Sequence, residues 1–187
     1  QCGVESEILT EPSRLMDASG AVIPGVGAFG QAMANLRAAG WLDAIPEFVA
    51  SGRPFGGICL GMQLLFEQSE ELGQHEGLGL LRGEVKKFSG DLIVPHIGWN
   101  QIHVTRETPL LANVRDASYA YFVHSYYVAP RDLSVVCATT DYGADFTCVV
   151  ARDNIVGFQF HPEKSQAVGL QMLRNFARLA GEIEVNE

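Results

Sequence analysis

The sequence is short of positive charge. Its 187 residues include 13 lysines and arginines against 22 aspartates and glutamates, which gives a formal net charge of −9. An excess of this sign argues against non-specific binding to nucleic acid. Long apolar runs are also missing, since none approaches the roughly 20 residues that a membrane-spanning helix needs. We therefore expect neither a nucleic-acid partner nor a membrane partner.

Cysteine is sparse and scattered. The four cysteines are Cys2, Cys59, Cys137 and Cys148. They form no Cys-x-x-Cys pair and the five histidines show no ligand spacing, so neither a zinc site nor a disulfide framework is indicated. Glycine-rich turns occur, but none has the Walker pattern of a phosphate-binding loop. We expect no metal, no cofactor, and reduced thiols that suit the cytoplasm.

The length and composition fit one globular domain over residues 1–187, with 47% apolar and 19% charged residues. In the first half, a short strand at 21–23 precedes two helices, and this alternation is typical of a parallel sheet covered on both faces. The second half contains strand-like runs separated by turn residues, several of them in antiparallel pairs. These runs are 84–88, 101–105, 119–128, 134–139, 146–151 and 155–160, and a helix over 165–180 closes the chain.

The most informative segment is Gly57-Ile58-Cys59-Leu60-Gly61, a G-x-C-x-G turn that a helical-looking run at 62–66 follows. It has the form of a nucleophile elbow with sulfur in place of the serine oxygen. Glycines suit such a sharp turn because they have no Cβ to crowd the backbone. A cysteine at a helix N-terminus is expected to have a lowered pKa. The alternative is that Cys59 is a buried structural residue without a catalytic role.

A second segment, Gly157-Phe158-Gln159-Phe160-His161-Pro162-Glu163, supplies the groups that a thiol nucleophile needs. The strand-like alternation ends at His161, and Pro162 turns the chain because it cannot continue a central strand. This places a carboxylate, Glu163, beside the imidazole. A base with its orienting group, far along the chain from an elbow cysteine, predicts nucleophilic catalysis at Cys59.

Together, residues 57–63 and His161-Pro162-Glu163 resemble the class I glutamine amidotransferases of the triad type. The segments at 24–29, 95–100 and 121–126 resemble the glutaminase subunit of imidazole glycerol phosphate synthase, and the similarity covers essentially the whole chain. This resemblance implies an α/β fold of flavodoxin-like type, with a mostly parallel central sheet flanked by helices. The family has a further strand and helix before the point that matches Gln1, so we expect a chain that is N-terminally truncated relative to the family.

The resemblance also implies a reaction and a site. Cys59 would attack the side-chain amide of glutamine, His161 would move the proton, and Glu163 would orient the imidazole. The oxyanion would be held by the N–H of Leu60 and by the turn at Val26 and Gly27, where the peptide at Val26 must flip to present its N–H. The substrate-binding residues implied in this way are Gly27, Gln63, Glu71, Ser125 and Tyr126.

A protein partner follows from the same resemblance. The glutaminase passes ammonia to a (βα)8-barrel cyclase, which makes imidazole glycerol phosphate and aminoimidazole carboxamide ribonucleotide in histidine biosynthesis. The phosphorylated substrate would bind that partner in a heterodimer. The residues expected at the interface are Pro95, Trp99, Asn100 and Lys164.

Three other functions stay open from the sequence. A glutaminase subunit of another class I amidotransferase would share the half-reaction and differ only in the acceptor of ammonia. A thiol hydrolase of γ-glutamyl peptides would act without any partner. An inactive binding module would keep the fold and lack the chemistry, although the presence of Cys59, His161 and Glu163 argues against it.

Overall fold

The fold is given by a computed structural model that describes residues 2–182, so the ends of the predicted domain, at Gln1 and residues 183–187, lie outside the described part. The strands are β1 (Ala21–Gly25), β2 (Phe55–Cys59), β3 (Phe66–Ser69), β4 (His75–Glu76), β5 (Leu81–Lys87), β6 (His96–Val104), β7 (Ser118–His124), β8 (Tyr126–Pro130), β9 (Val136–Asp141), β10 (Asp145–Arg152) and β11 (Ile155–Phe158). The α-helices are α1 (Phe29–Ala38), α2 (Trp41–Ala50), α3 (Leu60–Leu64) and α4 (Gln166–Leu179). Short 3-10 helices lie at Pro12–Asp17, Pro109–Leu111, Leu133–Val135 and Pro162–Lys164.

The strands form one mixed sheet in the order β1-β2-β11-β10-β8-β5-β3-β4, with β9 paired to β10 and β6, and β7 paired to β6. The predicted α/β class and the antiparallel second half are confirmed. The parallel pairs are β1–β2, β2–β11 and β3–β5, so the parallel part is smaller than we expected from the sequence. The reason is that most second-half strands are joined by short turns, and only antiparallel neighbours accept those.

Two local elements differ from the sequence expectation. The apolar run after the elbow is helical only to Leu64, and Phe66 already begins β3. A run of five residues of which four are apolar is too short to show a period that separates a helix from a buried strand. The predicted strand over 119–128 is divided at Ser125, where the chain bends from β7 into β8.

The core consists of two clusters of buried side chains. One includes Phe29 on α1 and Phe48 on α2, and the other includes Phe122 on β7 and Met172 on α4. The elbow passes between them, because Leu60 belongs to the first cluster while Ile58 packs against the second. Packing on both sides therefore fixes the position of Cys59. Among the described helices, none is long and apolar enough to cross a membrane.

Candidate active site

The backbone at Cys59 makes a strained turn from β2 into α3. Cys59 has φ 53° and ψ −112°, in a region that a residue with a side chain rarely occupies. Glycines on both sides make this turn sterically feasible. A Cβ at Gly57 would lie 2.5 Å from the backbone of Gly61, and a Cβ at Gly61 would collide with the carbonyl oxygen of Ile23. Strain of this kind is concentrated at functional sites.

The sheet register brings the histidine segment to the same edge as the elbow. Ile58 on β2 is opposite Phe158 on β11 in a parallel pair, so both strands end at this edge. His161 follows three residues after Phe158, and its backbone N–H donates to the carbonyl of Tyr121 over 2.9 Å. This hydrogen bond ties the histidine to β7. The ends of these strands therefore place Cys59 and His161 at the same edge of the sheet.

His161 is buried and has the tautomer that a general base needs. Its Nδ1 lies 2.8 Å from Oε1 of Glu163, and because a carboxylate only accepts, Nδ1 carries the proton. Nε2 is buried without a hydrogen-bond partner within residues 2–182. The backbone is fixed by Ser165, whose hydroxyl donates to the carbonyl of His161 over 2.7 Å. The free Nε2 lone pair can accept a proton from a thiol or from water.

The thiol of Cys59 is held in its neutral form in this state. The pKa of Cys59 is raised to about 11, mainly by burial and to a smaller extent by the charge of Glu163. The N–H of Leu60 and the charge of Lys164 lower that pKa, but burial outweighs them. The sequence expectation of a lowered pKa is thus wrong for this state. The helix behind the cysteine has only five residues, so its dipole is small, and the packing around the elbow excludes water.

The predicted oxyanion turn lies directly beside the elbow. Gly25 at the end of β1 is opposite Cys59. Beyond it, Val26 is 81% exposed, and Gly27 has φ +103° with nothing within 4 Å of the place that a Cβ would take. The turn therefore has both the glycine and the open space that a peptide rotation at Val26 requires.

The four other residues expected to bind substrate lie in different surroundings. Gln63 is buried, and its Nε2 donates to the carbonyl oxygen of Tyr126 over 2.9 Å and to Oε1 of Gln159 over 3.2 Å. Glu71 accepts the first N–H of α1, from Phe29, over 2.6 Å, which anchors its carboxylate next to the oxyanion turn. Ser125 and Tyr126 lie where β7 passes into β8, and both are half-buried.

The residues expected at a protein interface divide into two groups. Trp99 is 46% exposed on β6 and packs edge-on against Tyr121, over whose ring Nζ of Lys164 lies at 6.0 Å. Pro95 is exposed and follows a cis peptide bond. The side chain of Asn100 instead donates inward, to the carbonyl of Asp141 over 2.8 Å.

Sequence reasoning did not identify two of the residues around the thiol. Gln159 donates from Nε2 toward Sγ of Cys59 over 3.9 Å, and the carbonyl of Val123 lies 3.9 Å from the same sulfur. Gln159 carried one signal in the sequence, since it is a lone amide between two phenylalanines in an apolar strand. Val123 carried none, because its contribution is a backbone oxygen.

The mixed sheet with a cysteine elbow at its edge is the architecture of a class I glutamine amidotransferase domain. The family model described as glutamine amidotransferase class-I matches residues 3–180. A solved structure described as a glutamine amidotransferase superposes with a TM-score of 0.73 at 19% identity, and the match covers 96% of this chain and 88% of that one. At this identity the superposition shows the fold alone.

Closer relatives share one description, imidazole glycerol phosphate synthase subunit HisH. The protein of Desulfitobacterium hafniense (strain DSM 10664 / DCB-2) is 47% identical over 180 residues, which is 96% of this chain and 85% of the relative. That of Aquifex aeolicus (strain VF5) is 51% identical over 162 residues, which is 87% of this chain and 78% of the relative. The chain belongs to the class I glutamine amidotransferase family and, within it, to the HisH subunits of imidazole glycerol phosphate synthase.

Proposed function

We propose that this protein hydrolyses glutamine to glutamate and ammonia through Cys59, His161 and Glu163. We further propose that it passes the ammonia to a (βα)8-barrel cyclase, which forms imidazole glycerol phosphate and aminoimidazole carboxamide ribonucleotide in histidine biosynthesis. The observation that carries the proposal is Nε2 of His161, which is buried without a hydrogen-bond partner among residues 2–182 and lies at the sheet edge where the elbow presents Cys59. The relatives support the second part, because each is named as a subunit of that synthase.

In the first half of the reaction the thiol of Cys59 gives its proton to Nε2 of His161, and the sulfur attacks the amide carbon of glutamine. The negative charge that develops on the amide oxygen is met by the N–H of Leu60 and by the N–H at Val26 once that peptide has turned. The imidazolium then protonates the leaving nitrogen as the carbon–nitrogen bond breaks. Ammonia departs and a thioester on Cys59 remains.

In the second half His161 takes a proton from water, and the water oxygen attacks the thioester carbonyl. The carbon–sulfur bond breaks, glutamate is released, and the proton on the imidazole returns to the sulfur. Glu163 stabilises the imidazolium in both halves, since its carboxylate lies 2.8 Å from Nδ1. Gln63, Glu71, Ser125 and Tyr126 are the residues that we propose around the amino-acid part of the substrate, and Gly27 joins them from the oxyanion turn.

The partner would dock on the exposed apolar face of β6 and β7. In this pairing Trp99 is opposite Tyr121 and Gln101 is opposite Tyr119. Ile97 is 60% exposed and Tyr119 is 54% exposed on the same two strands. Tryptophan and tyrosine are among the residues that most often dominate binding at protein interfaces. The face borders the site, because the Val123 carbonyl on β7 contacts the thiol.

Glutamate release tests the proposal. We expect little release by the chain alone, because a thiol with a pKa of about 11 is scarcely ionised at neutral pH. Addition of the barrel cyclase with its nucleotide ligand should increase release strongly, and Cys59→Ala should abolish it. Equal release with and without the partner would favour an autonomous thiol hydrolase. Release that only another synthase subunit stimulates would favour a different amidotransferase.

The alternative of an inactive binding module is tested separately, with an electrophilic glutamine analogue. The proposal predicts covalent labelling of Cys59 in the complex with the liganded cyclase, detected by peptide mass spectrometry. Cys2, which is half-buried and far along the chain, is an internal control for unspecific alkylation. Labelling of Cys2 without Cys59 would contradict a catalytic role for the elbow.

A further inference from the structure

Two glutamine side chains lie in contact beneath the elbow, and the proposed mechanism gives one of them no task. Gln63 is 5% exposed near the end of α3, and Gln159 is fully buried just after β11. A buried primary amide is costly unless its donors and acceptor are bonded, so such a pair needs a reason in packing or in function.

The hydrogen bonds around the pair fix which way each amide points. The carbonyl oxygen of Tyr126 can only accept, so the group that faces it at 2.9 Å must be the NH2 of Gln63. The same nitrogen lies 3.2 Å from Gln159, and therefore meets the oxygen of that amide. The NH2 of Gln159 is then left on the other side, where it lies 3.9 Å from Sγ of Cys59.

The Tyr126 carbonyl that begins this chain is itself held in place. Nδ1 of His124 lies 2.8 Å from it and must donate, since the oxygen has no proton. Nε2 of His124 is therefore an acceptor, and it meets Nδ1 of His96 at 3.1 Å. Two buried imidazoles thus support the carbonyl that orients Gln63, and through Gln63 they support the orientation of Gln159.

The sulfur of Cys59 contacts one hydrogen-bond acceptor and one hydrogen-bond donor at the same distance. The carbonyl of Val123 accepts, so its contact at 3.9 Å is favourable only while the sulfur carries a proton. The N–H of Gln159 donates, so its contact at 3.9 Å becomes stronger when the sulfur is an anion. Loss of the proton therefore exchanges one partner for the other, and the sulfur is drawn from Val123 toward Gln159.

We propose that Gln159 is a further catalytic residue of the glutaminase, whose side-chain N–H stabilises the thiolate of Cys59, and that Gln63 is the positioning residue that turns the Gln159 amide toward the sulfur. The inference rests on the proposed function, since a thiolate is needed only if Cys59 is the nucleophile. Gln159 lies on the same strand end as His161, two residues before it, so one element delivers both the base and the donor.

This assignment accounts for a problem that burial creates. The elbow buries the thiol and raises its pKa to about 11, and the N–H of Leu60 alone does not offset this. A second N–H that donates to the sulfur would lower the pKa of the buried thiol, because it stabilises the thiolate without the help of water. An ordinary buried glutamine in a core would satisfy its own hydrogen bonds and have no effect on the acidity of Cys59.

The test measures that acidity directly, through the pH dependence of alkylation of Cys59 by iodoacetamide, followed at the Cys59 peptide by mass spectrometry. Gln159→Met keeps the length of the side chain and removes the donor. A hydrogen bond to a charged group of this kind should change the pKa by about one unit, so we expect alkylation at a fixed pH below the pKa to fall about tenfold. Gln171→Met, on the half-buried side of α4, is the matched control and should leave the profile unchanged.

Gln159→Glu serves as a second variant that keeps an acceptor for the hydrogen bond from Gln63. It places an oxygen where the donor was, and we expect a larger rise in the pKa of Cys59 than Gln159→Met gives. Circular dichroism checks that each variant is folded. If neither folds, the side-chain nitrogen resonance of Gln159 in the wild-type protein decides, because it should titrate with Cys59 while that of Gln171 does not.

An unchanged alkylation profile in a folded Gln159 variant, or a Gln159 resonance that ignores the titration of Cys59, would overturn the inference. The measurement needs neither glutamine nor a partner, so its outcome is separate from that of the glutamate assay. A protein in which Gln159 controls the acidity of Cys59 but which releases no glutamate would refute the proposed function and leave the contact established.

Discussion

In the described state, neither Cys59 nor His161 is in the arrangement in which it would react. Burial keeps the sulfur protonated, with a pKa of about 11, and Nε2 of the imidazole has no partner among residues 2–182. A displacement that brings the two groups within hydrogen-bond distance would let the proton move between them, and both lie at one edge of the sheet. In the proposed mechanism, the events that start the reaction must therefore lower the free-energy cost of the thiolate.

The first prediction concerns the base and its orienting carboxylate. His161→Asn removes the lone pair that accepts the thiol proton, and general acid–base catalysis of this kind contributes about 100- to 10,000-fold, so kcat for glutamate release should fall by that order. Glu163→Gln keeps an acceptor for Nδ1 but removes the charge that stabilises the imidazolium. Its effect should be smaller, about tenfold, because half of that carboxylate is exposed to water, which screens its charge.

Both variants are measured with the liganded cyclase present, so that the rate reports the chemical step. Glu47→Gln, on the exposed side of α2, removes the same charge far from the site and should leave kcat unchanged. A kcat for His161→Asn equal to that of the wild type would show that another group is the base.

At the scale of elements, the turn from β2 into α3 depends on glycines whose Cβ positions are occupied by backbone. We predict that Gly61→Ala lowers the free energy of unfolding by about 1–3 kcal/mol, because the new methyl group would meet the carbonyl of Ile23 and the turn cannot move without disturbing two strands. Urea unfolding measures the change. Activity should fall with it, since the same shift displaces Cys59.

Gly30→Ala is the matched control for that prediction. Gly30 lies in the first turn of α1, and the atoms nearest to its Cβ position belong to the ring of His75, a half-buried side chain that can rotate away. Alanine is favoured over glycine by up to about 1 kcal/mol in a helix, so this change should cost far less than Gly61→Ala. If Gly30→Ala were as destabilising as Gly61→Ala, backbone collision at the elbow would not be the cause.

The element scale also shows what the sequence could and could not predict. The elbow, the strand that leads to His161 and the antiparallel second half could be predicted because each has a local pattern. The short length of α3 could not be predicted, since the run at 62–66 is apolar at four of five positions and is too short to show a period. The acidity of Cys59 and the contact with Gln159 were out of reach as well, because both depend on a register between strands that lie 100 residues apart in the chain.

At the scale of the whole molecule, the buried imidazoles couple stability to pH. Burial lowers the pKa of His124 to about 3 and also lowers that of His96. In the unfolded chain both groups have a pKa near 6.5. Above that pH the two imidazoles are mostly unprotonated in both the native and the unfolded state, so they do not reduce the free energy of unfolding. As the pH falls below 6.5 the unfolded state binds protons that the native state does not, so the free energy of unfolding decreases toward acid.

We predict that the slope contributed by His124 approaches about 1.4 kcal/mol per pH unit as the pH falls from 6.5 to 5, and that His96 adds a contribution of the same sign, measured by urea unfolding at several pH values. His124→Asn should reduce this slope, while it also lowers stability at pH 7 because the Tyr126 carbonyl loses a donor. His103→Asn, at an exposed histidine on β6, should leave the slope as it is. A wild-type stability that stays constant from pH 7 to 5 would contradict burial of neutral imidazoles.

The last prediction concerns the surface by which the molecule would join its partner. Trp99 stands on the exposed face of β6, packed on Tyr121 beside Lys164, and a central tryptophan of this kind typically contributes about 2 kcal/mol or more to binding. Trp99→Ala should therefore weaken binding of the barrel cyclase about 30-fold or more, measured by titration calorimetry. Leu133→Ala, at a side chain that is 75% exposed next to β9, removes an exposed apolar group away from this face and should leave the affinity unchanged. Equal affinities for the wild type and Trp99→Ala would exclude this face.

Since Val123 on the adjacent strand contacts the thiol, a partner bound at this face should also change the glutaminase rate. Loss of affinity and loss of stimulation in Trp99→Ala should therefore appear together.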